Sequence, residues 1–205
     1  RPDGCVIDPA GFLPLAERTD LITEVDQAVL VQSVQRLRAL AAPLFVAVNV
    51  SATSIATRGY AQQVTETLNN SGVDPIRLHL EFTETALLGT TDGVKQAMAE
   101  LSGIGVRWYV DDFGTGYSSI SHLRDLPVAG LKLDLSFTAG LVSKDPTCEN
   151  LAQALVGLAG GLGLDTVAEG IETQQQADIL IAQGWQHGQG WLHGRSQPLT
   201  SQPAS

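Results

Sequence analysis

The 205-residue sequence is short of cysteine, of basic residues and of long apolar runs, and each shortage excludes something. Two cysteines, Cys5 and Cys148, are too few for a disulfide framework and point to a reducing compartment. Twelve Lys and Arg stand against 22 Asp and Glu, for a formal charge of −10. Such a surface repels phosphate backbones and anionic membranes, so a nucleic-acid polymer is not an expected partner. No apolar stretch is long enough to cross a bilayer and no secretory signal pattern opens the chain, so a cytoplasmic protein with no membrane segment is expected. The first residue is Arg1 and not Met, which suggests part of something longer. His79, His122 and His187 lack metal-ligand spacing. Gly157, Gly160, Gly161 and Gly163 end a helical pattern instead of opening one, so they are not a dinucleotide fingerprint. Asp112-Phe113-Gly114 spells a kinase tripeptide without the glycine-rich loop and catalytic-loop block that would accompany it.

With 43% hydrophobic and 17% charged residues, the composition is that of a globular domain with ample core material. Asp8-Pro9 predicts a helix start, with the acid as N-cap. A longer helix is expected over 20–41, burying Leu30, Val34, Leu37 and Ala41 on one face. Short apolar, β-branched runs follow at 44–50, 78–82, 106–110, 130–133, 166–168 and around 189–192. Helical patterns at 60–68, 91–101, 119–126, 148–162 and 173–183 separate them, and Gly72, Gly103 and Gly184 stand where C-caps belong. Strands alternating with helices mean βα units and a parallel sheet. The fold class expected is α/β, a TIM-like (β/α) barrel with six strands, two short of eight and hence N-terminally truncated. Residues 196–205 read as a loose tail.

What lies at the end of each apolar run carries the chemistry. In order these are Asn49 and Ser51, Glu81 and Glu84, Asp111 and Asp112, Lys132 and Asp134, Glu169 and Glu172, and Gln189. In a parallel barrel the C-terminal strand ends meet on one face, where active sites lie. Each acid taken singly has an ordinary use as an N-cap or first-turn residue. Together, that many carboxylates raise one another's pKa and call for cations. Oxygen donors without a Cys or His cluster favour Mg²⁺ or Mn²⁺ over Zn²⁺. Adjacent Asp111 and Asp112 suit two ions about 3.5–4 Å apart, with one carboxylate bridging, as in phosphoryl chemistry. Lys132 would then offset charge on a phosphate or hold the attacking water.

The segment Asp111-Asp112-Phe113-Gly114-Thr115-Gly116-Tyr117-Ser118-Ser119 resembles the signature of EAL-domain cyclic-di-GMP phosphodiesterases. Val48-Asn49-Val50-Ser51, Glu81-Phe82-Thr83-Glu84, Leu131-Lys132-Leu133-Asp134, Ala168-Glu169-Gly170-Ile171-Glu172 and Gln189-Gly190-Trp191-Leu192 agree in order and spacing. The resemblance covers nearly the whole chain, so residues 1–195 are expected to form one such domain. It implies metal ligands at Asn49, Glu81, Asp111, Asp112 and Glu169, with Lys132, Glu169 and Gln189 catalytic, Lys132 and Gln189 standing beside the attacking water or phosphate. It implies support from Glu84, Asp134 and Glu172, Glu84 steadying the loop of Phe113, Gly114, Thr115, Gly116, Tyr117 and Ser118. The implied reaction opens cyclic-di-GMP to linear pGpG with Mg²⁺ or Mn²⁺, two ions in number, in bacterial signalling. A homodimer and a covalently linked upstream sensor or cyclase-like domain are implied as partners. The Glu-Ala-Leu tripeptide that names the family, with its metal-binding Glu, is absent from this sequence, and Trp191 stands where Tyr or Phe is usual. Two alternatives therefore stay open: a non-catalytic cyclic-di-GMP-binding or regulatory module, and a Mg²⁺-dependent barrel enzyme abstracting a proton with Lys132 as base.

Overall fold

Six strands pair side by side in chain order, all parallel, five of them at the expected apolar runs: β1 Val46–Asn49, β2 Leu78–Thr83, β3 Arg107–Phe113, β4 Val128–Leu133, β5 Asp165–Ala168 and β6 His187–Gly188. A computed structural model describes residues 7–19, 21–88, 90–115, 123–142 and 146–195. Sequential parallel order with a helix in each crossover is the winding of a (β/α) barrel, here as a curled sheet of six strands.

The helices are α1 Leu13–Ala16, α2 Leu21–Arg38, α3 Ala52–Ala56, α4 Tyr60–Ser71, α5 Glu84–Leu88, α6 Asp92–Gly103, α7 Leu135–Gly140, α8 Pro146–Leu162 and α9 Gln174–Gln183. Asp8 caps only a 3₁₀ turn, Pro9–Gly11. Gly72 and Gly184 end α4 and α9 in the left-handed conformation that glycine adopts without steric cost. Gly103 instead lies inside α6, and the left-handed residue beyond that helix is Gly105. Leu30, Val34 and Leu37 are buried as the spacing predicts, but Ala41 is exposed because α2 stops at Arg38. The expected helix at 119–126 begins outside the described residues, and the tail 196–205 lies wholly outside them.

The core lies between the sheet and its helices. Val48, Leu78, Leu80, Phe82, Trp108, Val110, Leu131 and Leu133 face outward into it. Their strand neighbours face a hollow of about 810 Å³ on the other side, lined by Phe45, Ala47, His79, Tyr109, Lys132 and Val167 among others. The outward set has even numbers on β1–β3 and odd numbers on β4. The register explains the switch, because Trp108 pairs with Val128 but Tyr109 pairs with Gly130, leaving Ala129 as an extra residue in β4. A shift of one residue exchanges the two faces of a strand. Lys132 thereby joins the inner face, and Gly130 beside it leaves room for the Tyr109 ring, which a Cβ there would meet at 2.4 Å.

Two polar devices tie the frame. Arg77 donates from Nη2 to the carbonyls of Leu37, Leu40 and Ala41 at 3.3, 2.9 and 3.3 Å, and from Nε to Leu44 at 2.6 Å. It thus clamps the carbonyls at and just beyond the end of α2, adding a charged donor to Leu37 and Ala41, which also accept from Leu40 N and Leu44 N. On the inner face Phe45, His79 and Tyr109 stack with centroids 4.1 and 4.9 Å apart. Burial first, and the charge of Arg107 second, push the His79 imidazole down to about 4.

Two outcomes follow for stability. Arg77→Ala lowers the unfolding free energy by about 2 kcal/mol in urea denaturation, since several carbonyls lose a charged donor together; a loss too small to measure would show that water replaces the guanidinium. The depressed His79 stays neutral in the fold, whereas the unfolded chain takes up a proton near 6.5. Acidification from pH 6.5 towards 4 therefore costs stability, because the unfolded state binds more protons there. His79→Phe keeps the stack and removes that linkage, so its urea midpoint should fall less steeply than the wild type's across this window.

Candidate active site at the strand ends

Regular strand geometry sends adjacent side chains to opposite faces, so two neighbouring aspartates do not normally serve one site. β3 breaks that rule at Asp111-Asp112. Val110 pairs with Leu131 and Phe113 with Leu133, so β3 carries one residue more than β4 across this interval. Asp112 takes φ +54°, the only described non-glycine residue with positive φ. Asp is among the few residues that tolerate this conformation. A bulge of this kind re-aims a side chain, and oxygens of Asp111, Asp112 and Glu169 come to lie within 4.8 Å of one another.

At the centre of the site stands Lys132, 4% exposed. Its Nζ lies 2.7 Å from Glu81, 3.0 Å from Asp111 and 2.5 Å from Glu169. Burial works to lower the lysine pKa, but the charge of Glu81, hydrogen bonds to Glu169 and Glu81, and the charge of Asp111 outweigh it, so the net shift is upward. The amine stays an ammonium. Burial raises the Glu81 carboxyl despite the ion pair with Lys132. The Asp112 carboxyl is raised too, by burial first and then by the negative charges of Asp111, Asp134 and Glu169. One ammonium thus serves a group of four carboxylates, and a deficit of positive charge remains.

The other predicted site residues are distributed around this group. Asn49 is exposed at the end of β1, in register with Glu81. Glu84, 3% exposed, opens α5 and accepts a hydrogen bond from Gly114 N at 2.9 Å, which ties β2 to the turn after the aspartate pair. Asp134 caps α7, accepting from Ser136 N at 2.9 Å, and its negative charge contributes to raising the Asp112 carboxyl. Phe113 is buried, and Thr115 donates through Oγ1 to Asp112 O at 2.9 Å. Gly116, Tyr117 and Ser118 lie outside the described residues. Glu172 is exposed and stands apart, lining a second hollow of about 870 Å³ with Glu169, Gln189, Trp191 and Arg195.

Gln189 requires a correction of the strand around it. The run expected near 189–192 is not a strand: β6 is His187–Gly188, and the chain turns immediately afterwards. Gln189 still donates its N–H to Ala168 O at 2.8 Å and accepts from Ile171 N at 3.1 Å, after which His193 N closes a turn onto Gly190 O at 3.0 Å. A Cβ at Gly190 would lie 2.2 Å from Ile171 O, so only glycine lets the chain pass there. Trp191 and Leu192 look like strand residues but sit in this turn, exposed.

Sequence reasoning missed several supporting residues. Asp26 on α2 accepts from Ser51 N at 2.9 Å, Ser51 Oγ at 2.7 Å and Ser54 Oγ at 2.6 Å, fixing the chain just after Asn49. Beneath the carboxylates, Arg107 pairs with Asp165 at 2.8 Å and Tyr109 donates to the same oxygen at 3.1 Å. Alternation along β3 and β5 marks the last three as one inner face; nothing local marks Asp26.

Could these residues hold cations? Asn49, Glu81, Asp111, Asp112 and Glu169 present oxygen donors alone, oxygens of Asp111, Asp112 and Glu169 already converge, and four carboxylates share one ammonium. That donor set fits a hard divalent ion.

A family model described as EAL domain matches residues 1–196. The chain belongs to the EAL domain family. A cyclic di-GMP phosphodiesterase of Pseudomonas aeruginosa is 39% identical to this EAL domain over 187 residues, covering 90% of the chain and 32% of the relative. MucR of the same organism, a bifunctional diguanylate cyclase/cyclic di-GMP phosphodiesterase, is 36% identical over 209 residues, covering all of the chain and 30% of MucR. The EAL domain therefore spans about a third of the length of these curated relatives. Among solved structures, the PaMucR phosphodiesterase in complex with c-di-GMP superposes with a TM-score of 0.90 at 36% identity, covering 97% of this chain and 82% of that one. The EAL domain of Mycobacterium smegmatis DcpA gives 0.81 at 32% identity, covering 85% and 80%.

The crowding of like charge has a measurable consequence. Asp112→Asn removes one negative charge while keeping a residue that tolerates positive φ. In chelator-treated protein at pH 7 it should raise Tm, by about 2–4 °C for each kcal/mol of repulsion relieved. The rise in Tm on adding Mg²⁺ or Mn²⁺ should shrink in the same variant. A lower Tm without metal would mean that the Asp112 carboxylate is held favourably by its neighbours.

Proposed function

We propose that this EAL domain hydrolyses cyclic-di-GMP to linear pGpG with Mg²⁺ or Mn²⁺, two ions in number, as the catalytic part of a longer bacterial signalling protein. The observation that carries the reading is the buried Lys132 ammonium gathered with Glu81, Asp111 and Glu169 at the C-terminal strand ends. The phosphodiesterase names of the relatives and the nucleotide bound in the PaMucR structure support the substrate.

In this reading Asn49, Glu81, Asp111, Asp112 and Glu169 would hold the ions. Such ions supply charge neutralisation at the phosphodiester and acidify water. The chain's own groups do the rest. Lys132 offers a fixed positive charge to the phosphate or to the attacking water, and its raised pKa keeps that charge in place across neutral pH. Gln189, anchored through its main chain to Ala168 and Ile171, presents an amide towards the same mouth. Glu84 holds the turn after Asp112 through Gly114, and Asp134 supports by capping α7 beside the site. Glu172 supports from the rim. A homodimer formed through the segment that starts at Phe113 belongs to this proposal, as does an upstream sensor or cyclase-like domain, which the cyclase half of MucR's description supports. So does a cytoplasmic location; among the described residues no helix is long and apolar enough to cross a membrane.

The test is chromatographic detection of pGpG after incubating the 205-residue chain with cyclic-di-GMP and Mn²⁺ or Mg²⁺. Product should form and vanish with chelator, and Lys132→Met or Glu169→Gln should lower kcat/KM by about 10²–10³-fold. Cleavage that survives chelation would sink the metal-dependent mechanism. Nucleotide binding without any product would favour the binding-module reading.

A further inference from the structure

Among the described residues, Asn49 is the one member of the oxygen-donor set on a strand with a single neighbour. Glu81, Asp111 and Asp112 lie on β2 and β3, each paired on both sides, and Glu169 directly follows β5, which runs between β4 and β6. β1 is four residues long and pairs with β2 alone. Asn49 is also the only neutral donor of the five, so charge does little to draw its amide towards a cation, and its worth depends on being held in place. Just past it, Val50 N–H donates to Glu81 O at 2.8 Å. Successive N–H groups of an extended chain point to opposite sides, and Ser51, at φ −74° and ψ 149°, is extended. Its N–H therefore turns away from β2, to the side where an edge strand has no partner.

Asp26 takes that N–H. Its Oδ2 accepts from Ser51 N at 2.9 Å, from Ser51 Oγ at 2.7 Å and from Ser54 Oγ at 2.6 Å. Ser51 in turn caps α3 by accepting from Ser54 N at 3.1 Å, so one carboxylate clamps the whole strand-to-helix turn. No Lys or Arg forms an ion pair with Asp26 among the described residues. Its hydrogen bonds to this turn are charge-assisted, the stronger kind. α2, which carries it, packs against β1.

We propose that Asp26 is the positioning residue for Asn49: it stands in for a second neighbouring strand at the end of β1 and so sets the affinity of the strand-end site for a divalent cation. This rests on the reading of Asn49 as a metal ligand and extends it to a carboxylate outside the ligand set. Partners that orient metal ligands in this way typically contribute 10- to 100-fold in metal affinity.

Mn²⁺ titration of the 205-residue chain, following the electron paramagnetic resonance signal of free Mn²⁺, tests the assignment without any need for turnover. Asp26→Ala should weaken Mn²⁺ binding by roughly 10- to 100-fold. Asp26→Asn should recover most of that affinity, since an amide oxygen still accepts from the turn although the charge is gone. In an Asn49→Ala background, adding Asp26→Ala should change the affinity little, because the effect passes through Asn49. Leu30→Ala loosens α2 from within the core and should lower Tm while leaving Mn²⁺ binding near the wild-type value. Should Asp26→Ala fail to fold, Ser51→Ala, which removes one of the three bonds, should show a smaller loss of the same kind. Three results overturn the role of Asp26 while leaving Asn49 a ligand: Mn²⁺ affinity unchanged in Asp26→Ala, equally weakened in Asp26→Asn, or equally weakened in Leu30→Ala. An equal effect of Asp26→Ala with and without Asn49 overturns it as well. Unchanged affinity in Asn49→Ala removes Asn49 from the metal site, and the positioning role falls with it.

Discussion

Charge compensation around Lys132 governs the strand-end mouth. A buried ammonium without partners would be costly, and so would the group of carboxylates without it. Each makes the other tolerable, with Glu81, Asp111 and Glu169 all within 3.0 Å of Nζ. The pairing nevertheless leaves negative charge over, since Asp112, raised by burial first and then by Asp111, Asp134 and Glu169, stands outside the Lys132 ion pairs. A site that satisfied all its own charges would have nothing left with which to attract a cation. Here the surplus is held rigidly by three strands whose outer faces are packed into the core, so it cannot relax by moving apart.

Two irregularities in the β3–β4 pairing produce this arrangement, and neither is incidental. Past the extra residue at Ala129 the register places Lys132 on the inner face, and the extra residue at Asp111-Asp112 lets adjacent aspartates serve one site. Positive φ at Asp112 stores local strain, and bulges and strained backbone are characteristic of functional sites. The restraint comes from around the bulge: Glu84 holds Gly114, and the Thr115 hydroxyl holds the carbonyl of Asp112.

Much of this was legible in the sequence because periodicity and punctuation are local. Five of the six strand runs, the helix faces of α2 and the caps at Gly72 and Gly184 lie where spacing places them. The convergence of Glu81, Asp111, Asp112, Lys132 and Glu169 was readable from their places at strand ends alone. Features that depend on pairing between strands were not. A regular alternation cannot announce a bulge, so the reason two adjacent aspartates face one way emerges only from the register. Trp191-Leu192 imitates the apolar run of a strand, while Gly190, pressed against Ile171, turns the chain away. Asp26 escaped because its serine partners lie 25 and 28 residues further along the chain.

The additional residue in β4 has a consequence for how this segment tolerates change. Most positions in Val128–Leu133 admit conservative replacement, since a core accepts apolar residues of similar volume. Its length is another matter. Deleting Ala129 would join Val128 directly to Gly130, each keeping its present partner in β3, so the ladder would run regularly with Lys132 still facing the mouth, whereas a residue inserted between Gly130 and Lys132 would turn Lys132 into the helix-packed layer. β4 thus has one letter to spare, at Ala129, and a fixed count from Gly130 to Lys132, so functional descendants should lose a residue at the first place far more readily than they gain one in the second.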